Sequence, residues 1–170
     1  MTALVEYSGG RPPAAPWMFK RCLAALGNGL EGRGTTRPAD QTQIILMDKR
    51  AAILRLALIG GPIRELRLAV ALLLSRWYPG RAMERSRADA IVTNYVLVLE
   101  PLPAWSVECA GLRLARGEVV GVNPDFPPSA ARVYREARDE ITPYRAELDQ
   151  IEQIERATRW TLSMRNGAST

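Results

Sequence analysis

From Asp40 onward the chain repeats one pattern: apolar residues three and four apart, in stretches closed by glycine or proline. An α-helix brings such positions onto one face, whereas a half-buried strand needs every second residue apolar. Strict alternation is nowhere sustained, and its nearest approach, Tyr95 to Leu99, lies at the end of a helical pattern. The fold class predicted is all-α: a helical bundle with a flexible N-terminal arm and a long, Pro-kinked C-terminal helix.

The punctuation places the elements. Residues 1–16 are rich in Pro and Gly, a short amphipathic helix follows over Trp17 to Leu26, and the Gly-rich stretch 27–38 reads as a linker. Residues 1–37 are thus expected to be an arm, residues 38–164 the bundle and residues 165–170 a loose tail. The first bundle helix, Asp40 to Leu58, carries Ile44, Met47, Ala51, Leu54 and Leu58 on one face, with Gly60-Gly61 as its stop. Pro62 suits the first turn of the next, which continues through Leu66, Val70, Leu73 and Trp77. A third spans about 83–99 and buries Ala88, Ile91, Tyr95 and Val98; a fourth starts at Pro103 and buries Val107, Ala110 and Leu114. Ser129 caps the last helix, whose stripe is Ala137, Ile141, Tyr144, Leu148 and Ile151. Pro143 interrupts that stripe; inside a helix it removes one amide and clashes with the preceding turn, at a cost of about 3 kcal/mol. A kink or break is expected there, with a more exposed half beyond it.

Length and composition narrow the class. A chain of 170 residues with 47% apolar content holds one ordinary domain, with or without an arm. The longest apolar run, the seven residues Leu68 to Leu74, is far short of the about 20 that span a bilayer. Residues 1–10 include Glu6 and lack a basic head followed by an apolar stretch, so no secretory signal is expected there. Cys22 and Cys109 lie in apolar helical patterns and read as reduced thiols of a cytoplasmic protein without membrane contact.

The net charge of +5 is uneven: seven Lys/Arg against four Asp/Glu in residues 1–50, the same in 51–100, and nine against ten thereafter. A basic front could steer the protein to nucleic acid or to an acidic protein surface. Arg76, Arg81, Arg85 and Arg87 are the candidates for nucleic-acid contact. Arginine supplies 21 of the 23 cations, however, and a GC-rich genome gives that bias without selection for binding.

Catalytic chemistry finds little to work with. No histidine occurs, which removes the commonest general base, the Ser/His and Cys/His pairs and most zinc sites. Glu136, Asp139 and Glu140 are close in sequence, but they alternate with Arg132, Arg135 and Arg138, as on a solvated face with pairs three and four apart. Gly27, Gly29 and Gly32 match a dinucleotide fingerprint in spacing, yet that motif works only where a strand turns into a helix. The expectation is a non-enzymatic protein with no metal and no cofactor.

The second half carries a series of aromatic and proline landmarks. Trp77-Tyr78-Pro79 closes one helix, Leu99-Glu100-Pro101-Leu102-Pro103 leads to Trp105, and Phe126-Pro127-Pro128-Ser129 opens the last helix. Each has a plain packing role, proline at helix starts and an aromatic tucked under the first turn, which puts Trp77, Trp105 and Phe126 in the core. Their order over residues 70–135 resembles that of phage and prophage replicative-helicase loaders, also described as loader-and-inhibitor proteins. The resemblance implies a DNA-replication protein that binds a hexameric replicative helicase, holds it without unwinding DNA and delivers it to an initiator protein. Trp17, Met18, Phe19, Lys20 and Arg21, as a tethered amphipathic helix that folds on its partner, are the candidate binding residues. A nucleic-acid-binding helical regulator and a small phage inhibitor of a host enzyme are the alternatives.

Overall fold

In a computed structural model the chain is all-α, and residues 10–30, 39–78 and 84–167 are described. Their six helices are α1 (Trp17–Leu30), α2 (Gln41–Leu58), α3 (Ile63–Ser75), α4 (Arg85–Leu99), α5 (Ala104–Ala115) and α6 (Ala130–Gly167), with no strand among the described residues. No single helix among them is long and apolar enough to cross a membrane.

Local chemistry explains the helix ends. At the start of α2 the Asp40 carboxylate accepts from the Gln43 amide at 2.8 Å, while the Gln43 side chain accepts from the Asp40 amide at 2.9 Å. This reciprocal box satisfies two amides that have no partner within the helix. α5 ends at Ala115 and is followed by Gly117, whose φ of 69° is in the left-handed region. There the Gly117 amide donates to Leu114 and the Glu118 amide to Arg113, closing two carbonyls of the last turn. Ser129 caps α6, its Oγ accepting from the Arg132 amide at 3.3 Å.

The chain divides into two compact units. The first takes Pro12–Leu56 and the part of α6 from Tyr144 onward, and the second takes Ala57–Pro143 with Gly10 and Arg11. In the first, Met47, Ala51 and Leu54 of α2 and Ile151 and Ile154 of α6 are buried. Arg50 is buried too, held by Glu147 through Nε–Oε1 at 2.7 Å and Nη2–Oε2 at 3.0 Å; its Nη1 donates to the Pro13 carbonyl at 2.8 Å. α1 runs to Leu30, past the glycine where composition ends it, and residues 31–38 lie outside the described residues. Within the stretch that composition assigns to an arm, Ala15 and Leu23 are buried, and the Leu23 carbonyl accepts from Gln150 Nε2 at 3.3 Å.

In the second unit α3 packs against both α4 and α5. Leu66, Val70 and Leu73 of α3 and Val107, Ala110 and Leu114 of α5 are buried, the faces that spacing assigns to the core. Gly111 sits so close to α3 that a methyl group there would lie 2.5 Å from Leu73 Cδ1. Trp105 is buried and its indole donates to the Ala57 carbonyl at 2.8 Å. Between α4 and α5 the chain bends by 113°.

Three expectations are corrected. α4 buries Val96 and Leu99 rather than Val98, so its core face is turned by about one residue from the stripe expected. Phe126, placed in the core by sequence, is 68% exposed. The loop before α6 is fastened through its backbone: Trp77 Nε1 donates to the Pro124 carbonyl at 2.7 Å, and the Tyr95 hydroxyl donates to the Pro128 carbonyl. The third correction is at Pro143, where the expected break is absent and α6 runs on as one helix; the part beyond it is the more exposed half, as expected, yet it still buries Ile151, Ile154 and Thr158. Pro143 and Asp139 are both exposed, so water can reach the Asp139 carbonyl that proline leaves without its amide.

Candidate functional site

α3 is apolar on more than one side. Its core face uses Leu66, Ala69, Val70, Leu73 and Leu74, while Leu68, Ala71 and Leu72 project the other way and are exposed. With α4 this outer side forms an open groove of about 610 Å³, lined by Arg64, Glu65, Arg67, Leu68 and Ala71 of α3 and by Asp89 and Val92 of α4. Leu68 is 60% exposed at its edge. Glu65 turns back toward the start of its helix, with Oε2 3.0 Å from where a methyl group on Gly61 would sit.

The cations of this region stand apart electrostatically. Arg50, Arg55, Arg113, Arg132 and Arg159 each hold a carboxylate. Arg64, Arg67, Arg76, Arg85 and Arg87 form no ion pair with any described residue and are all exposed. Three of these, Arg76, Arg85 and Arg87, were singled out from sequence as nucleic-acid contacts; the fourth, Arg81, lies outside the described residues. Arg64 and Arg67 belong to the basic stretch 55–87 but do not stand out from it by sequence, and their place beside an apolar groove is not expected. The available signal was the run Leu68 to Leu74, which has more apolar residues than one helix face can bury.

Other sequence candidates are dispersed. Trp17 is 65% exposed, with the Arg21 guanidinium 5.5 Å from its ring centroid, a cation–π arrangement. Lys20 is exposed, Phe19 is half-buried, and the Met18 side chain is outside the described set. Of the landmarks, Trp105, Pro103 and Pro128 are buried, Trp77 and Tyr78 are half-buried, Pro127 and Phe126 are exposed, and Pro79 is not among the described residues.

The carboxylates near the start of α6 are committed to cations. Glu136 is buried and pairs with Arg132 at 3.0 Å and Arg113 at 3.9 Å; Glu140 pairs with Arg113 at 2.9 Å and Arg11 at 3.8 Å. The Glu140 bond is the main reason the Arg113 guanidinium holds its proton more tightly than usual. Both cysteines are free, and burial pushes both thiols upward, which favours the unreactive protonated form. Gly27 and Gly29 lie within α1, so no strand leads into the glycine motif, and Gly32 is outside the described residues. Comparison of the chain with protein-family models, with curated proteins and with solved structures gives no match.

Proposed function

We propose that this chain acts by binding alone, as a phage-type DNA-replication protein that docks on a replicative helicase and loads or inhibits it, with the α3–α4 groove as docking surface. The observation that carries the reading is the groove itself, in which apolar Leu68, Ala71 and Val92 lie among four charged residues and Leu68 is largely exposed. Leucine and valine side chains left in water gain about 25 cal/mol per Å² when a partner covers them. The landmark order from Tyr78 to Ala131, which resembles that of helicase loaders, belongs to the same compact unit as this groove. Exposed Phe126 on that unit is a further aromatic available for contact.

The test is gel filtration of nuclease-treated protein with the cognate helicase, at concentrations on the order of tens of micromolar. Co-elution without nucleic acid, abolished by Leu68→Glu, supports the reading; separate elution rejects it. Arg64, Arg67, Arg76, Arg85 and Arg87, which pair with no carboxylate among the described residues, favour a second reading, a nucleic-acid-binding helical regulator. That reading requires duplex binding whose log affinity falls linearly with log salt.

A further inference from the structure

The walls of the α3–α4 groove select what can lie in it. We infer that the occupant is an amphipathic helix of the partner, with an apolar stripe on Leu68, Ala71 and Val92 and carboxylates along one flank that pair with Arg64 and Arg67. The inference rests on the reading of this groove as the docking surface.

Backbone chemistry selects a helix. Both walls are helices, whose backbone groups are paired within the helix beyond the first turn, and no sheet edge exists among the described residues to accept an added strand. An extended peptide in the groove would lose water from its own amides and gain no partner for them. A helical occupant brings its hydrogen bonds with it.

Charge then orients it. Arg64 and Arg67, three residues apart and therefore neighbours on α3, form no ion pair with any described residue. Glu65 also lines the α3 wall, but its carboxylate turns back toward Gly61 at the helix start, and the α4 wall presents Asp89. One flank of the occupant must accordingly be acidic and the other not. The same distribution argues against a nucleic-acid strand, because Glu65, Asp89 and the apolar Leu68, Ala71 and Val92 offer nothing to phosphate. Arginine suits the acidic flank, since its planar fork can engage a carboxylate through two hydrogen bonds.

A charge swap tests this on the full chain. The probe is a fluorescein-labelled helical peptide of about 18 residues, roughly 27 Å long, with leucines along one face and glutamates along one flank. A comparator carries lysines in place of the glutamates. Anisotropy titration is expected to show at least tenfold tighter binding of the glutamate peptide, roughly 1.4 kcal/mol. Arg64→Glu/Arg67→Glu should reverse that preference, with circular dichroism confirming an intact fold, because both side chains are exposed and form no ion pair with any described residue. Equal binding of the two peptides, or a preference unchanged in the double variant, overturns the inference. So does a duplex oligonucleotide bound through these arginines while both peptides are ignored, or a self-dimer dissolved by Leu68→Glu. If Leu68→Glu abolishes helicase binding but the peptides are not discriminated, the docking surface stands and the acidic helix is wrong. If the charge swap works and helicase binding ignores Leu68→Glu, the acidic helix stands and the helicase is the wrong partner.

Discussion

Trp77 and Pro124 lie 47 residues apart in sequence and are joined by a 2.7 Å hydrogen bond from the indole N–H to the prolyl carbonyl. With the Tyr95 hydroxyl on the Pro128 carbonyl, it fastens the loop before α6 to the region of α3 and α4. Trp77→Phe keeps an aromatic ring and removes the donor. It should lower stability by about 1 kcal/mol and accelerate amide hydrogen exchange in the loop between Gly117 and Ser129 ahead of the rest of the unit. Exchange that rises uniformly, or not at all, would show that the bond does not hold the loop.

The contact between Gly111 and Leu73 predicts a steric effect. Leu73 is buried, so it cannot swing freely from an added methyl group 2.5 Å from its Cδ1. Gly111→Ala is expected to destabilise by about 1–3 kcal/mol despite the better helix propensity of alanine. The penalty should shrink in a Leu73→Val background, measured as a double-mutant cycle by urea unfolding.

Arg50 gives an asymmetric prediction. Removing its carboxylate by Glu147→Ala leaves a buried guanidinium with the Pro13 carbonyl as its remaining hydrogen-bond partner, at a cost of about 3–5 kcal/mol. Arg50→Met removes the charge along with its need for a partner and should be clearly milder. Equal losses in thermal melts of the two variants would refute the view that stranded charge is the dominant cost.

Stability should also vary with pH through Glu155. The residue is buried, 9% exposed, and one carboxyl oxygen has no hydrogen-bond partner among the described residues. Burial pushes it above the ordinary 4.5, Asp48 of α2 pushes it further, and Arg55 and Arg159 pull it back. The folded state therefore keeps this proton at pH values where the unfolded chain has released it. The stabilisation is complete below about 4.5 and declines as pH rises through the elevated folded value. Glu155→Gln removes this titration, so its melting temperature should gain on the parent as pH increases from 4.5 toward neutrality. A difference that is constant with pH, or that shrinks as pH rises, would contradict the assignment.

What could be read from sequence follows from what periodicity encodes. The stripes Leu66–Val70–Leu73 and Val107–Ala110–Leu114 are buried as spacing requires, because a helix with one apolar face has one way to pack. α2 was harder to read in full, since Ile45, Leu46 and Leu56 are exposed opposite its core face and hydrophobicity alone cannot rank two apolar sides. Phe126 misled because the loop around it is held by carbonyl oxygens, which every residue possesses and no sequence pattern marks. The groove was half legible: Leu68 and Ala71 are surplus to the α3 core face, but Val92 and Asp89 join them only through the packing of α3 on α4.

The Arg50 bond to the Pro13 carbonyl bears on how any partner of the N-terminal region can be mapped. Deleting the front of the chain is the usual way to ask whether Trp17 and its neighbours touch a partner. Here a deletion past Pro13 would withdraw an acceptor from a buried cation, and one past Leu23 would also uncover part of the first unit's interior. Lost binding in such a truncation would therefore report damage to the receptor as readily as a missing contact. Trp17→Ala, which changes a solvent-facing ring and leaves the Pro13 carbonyl in place, separates the two.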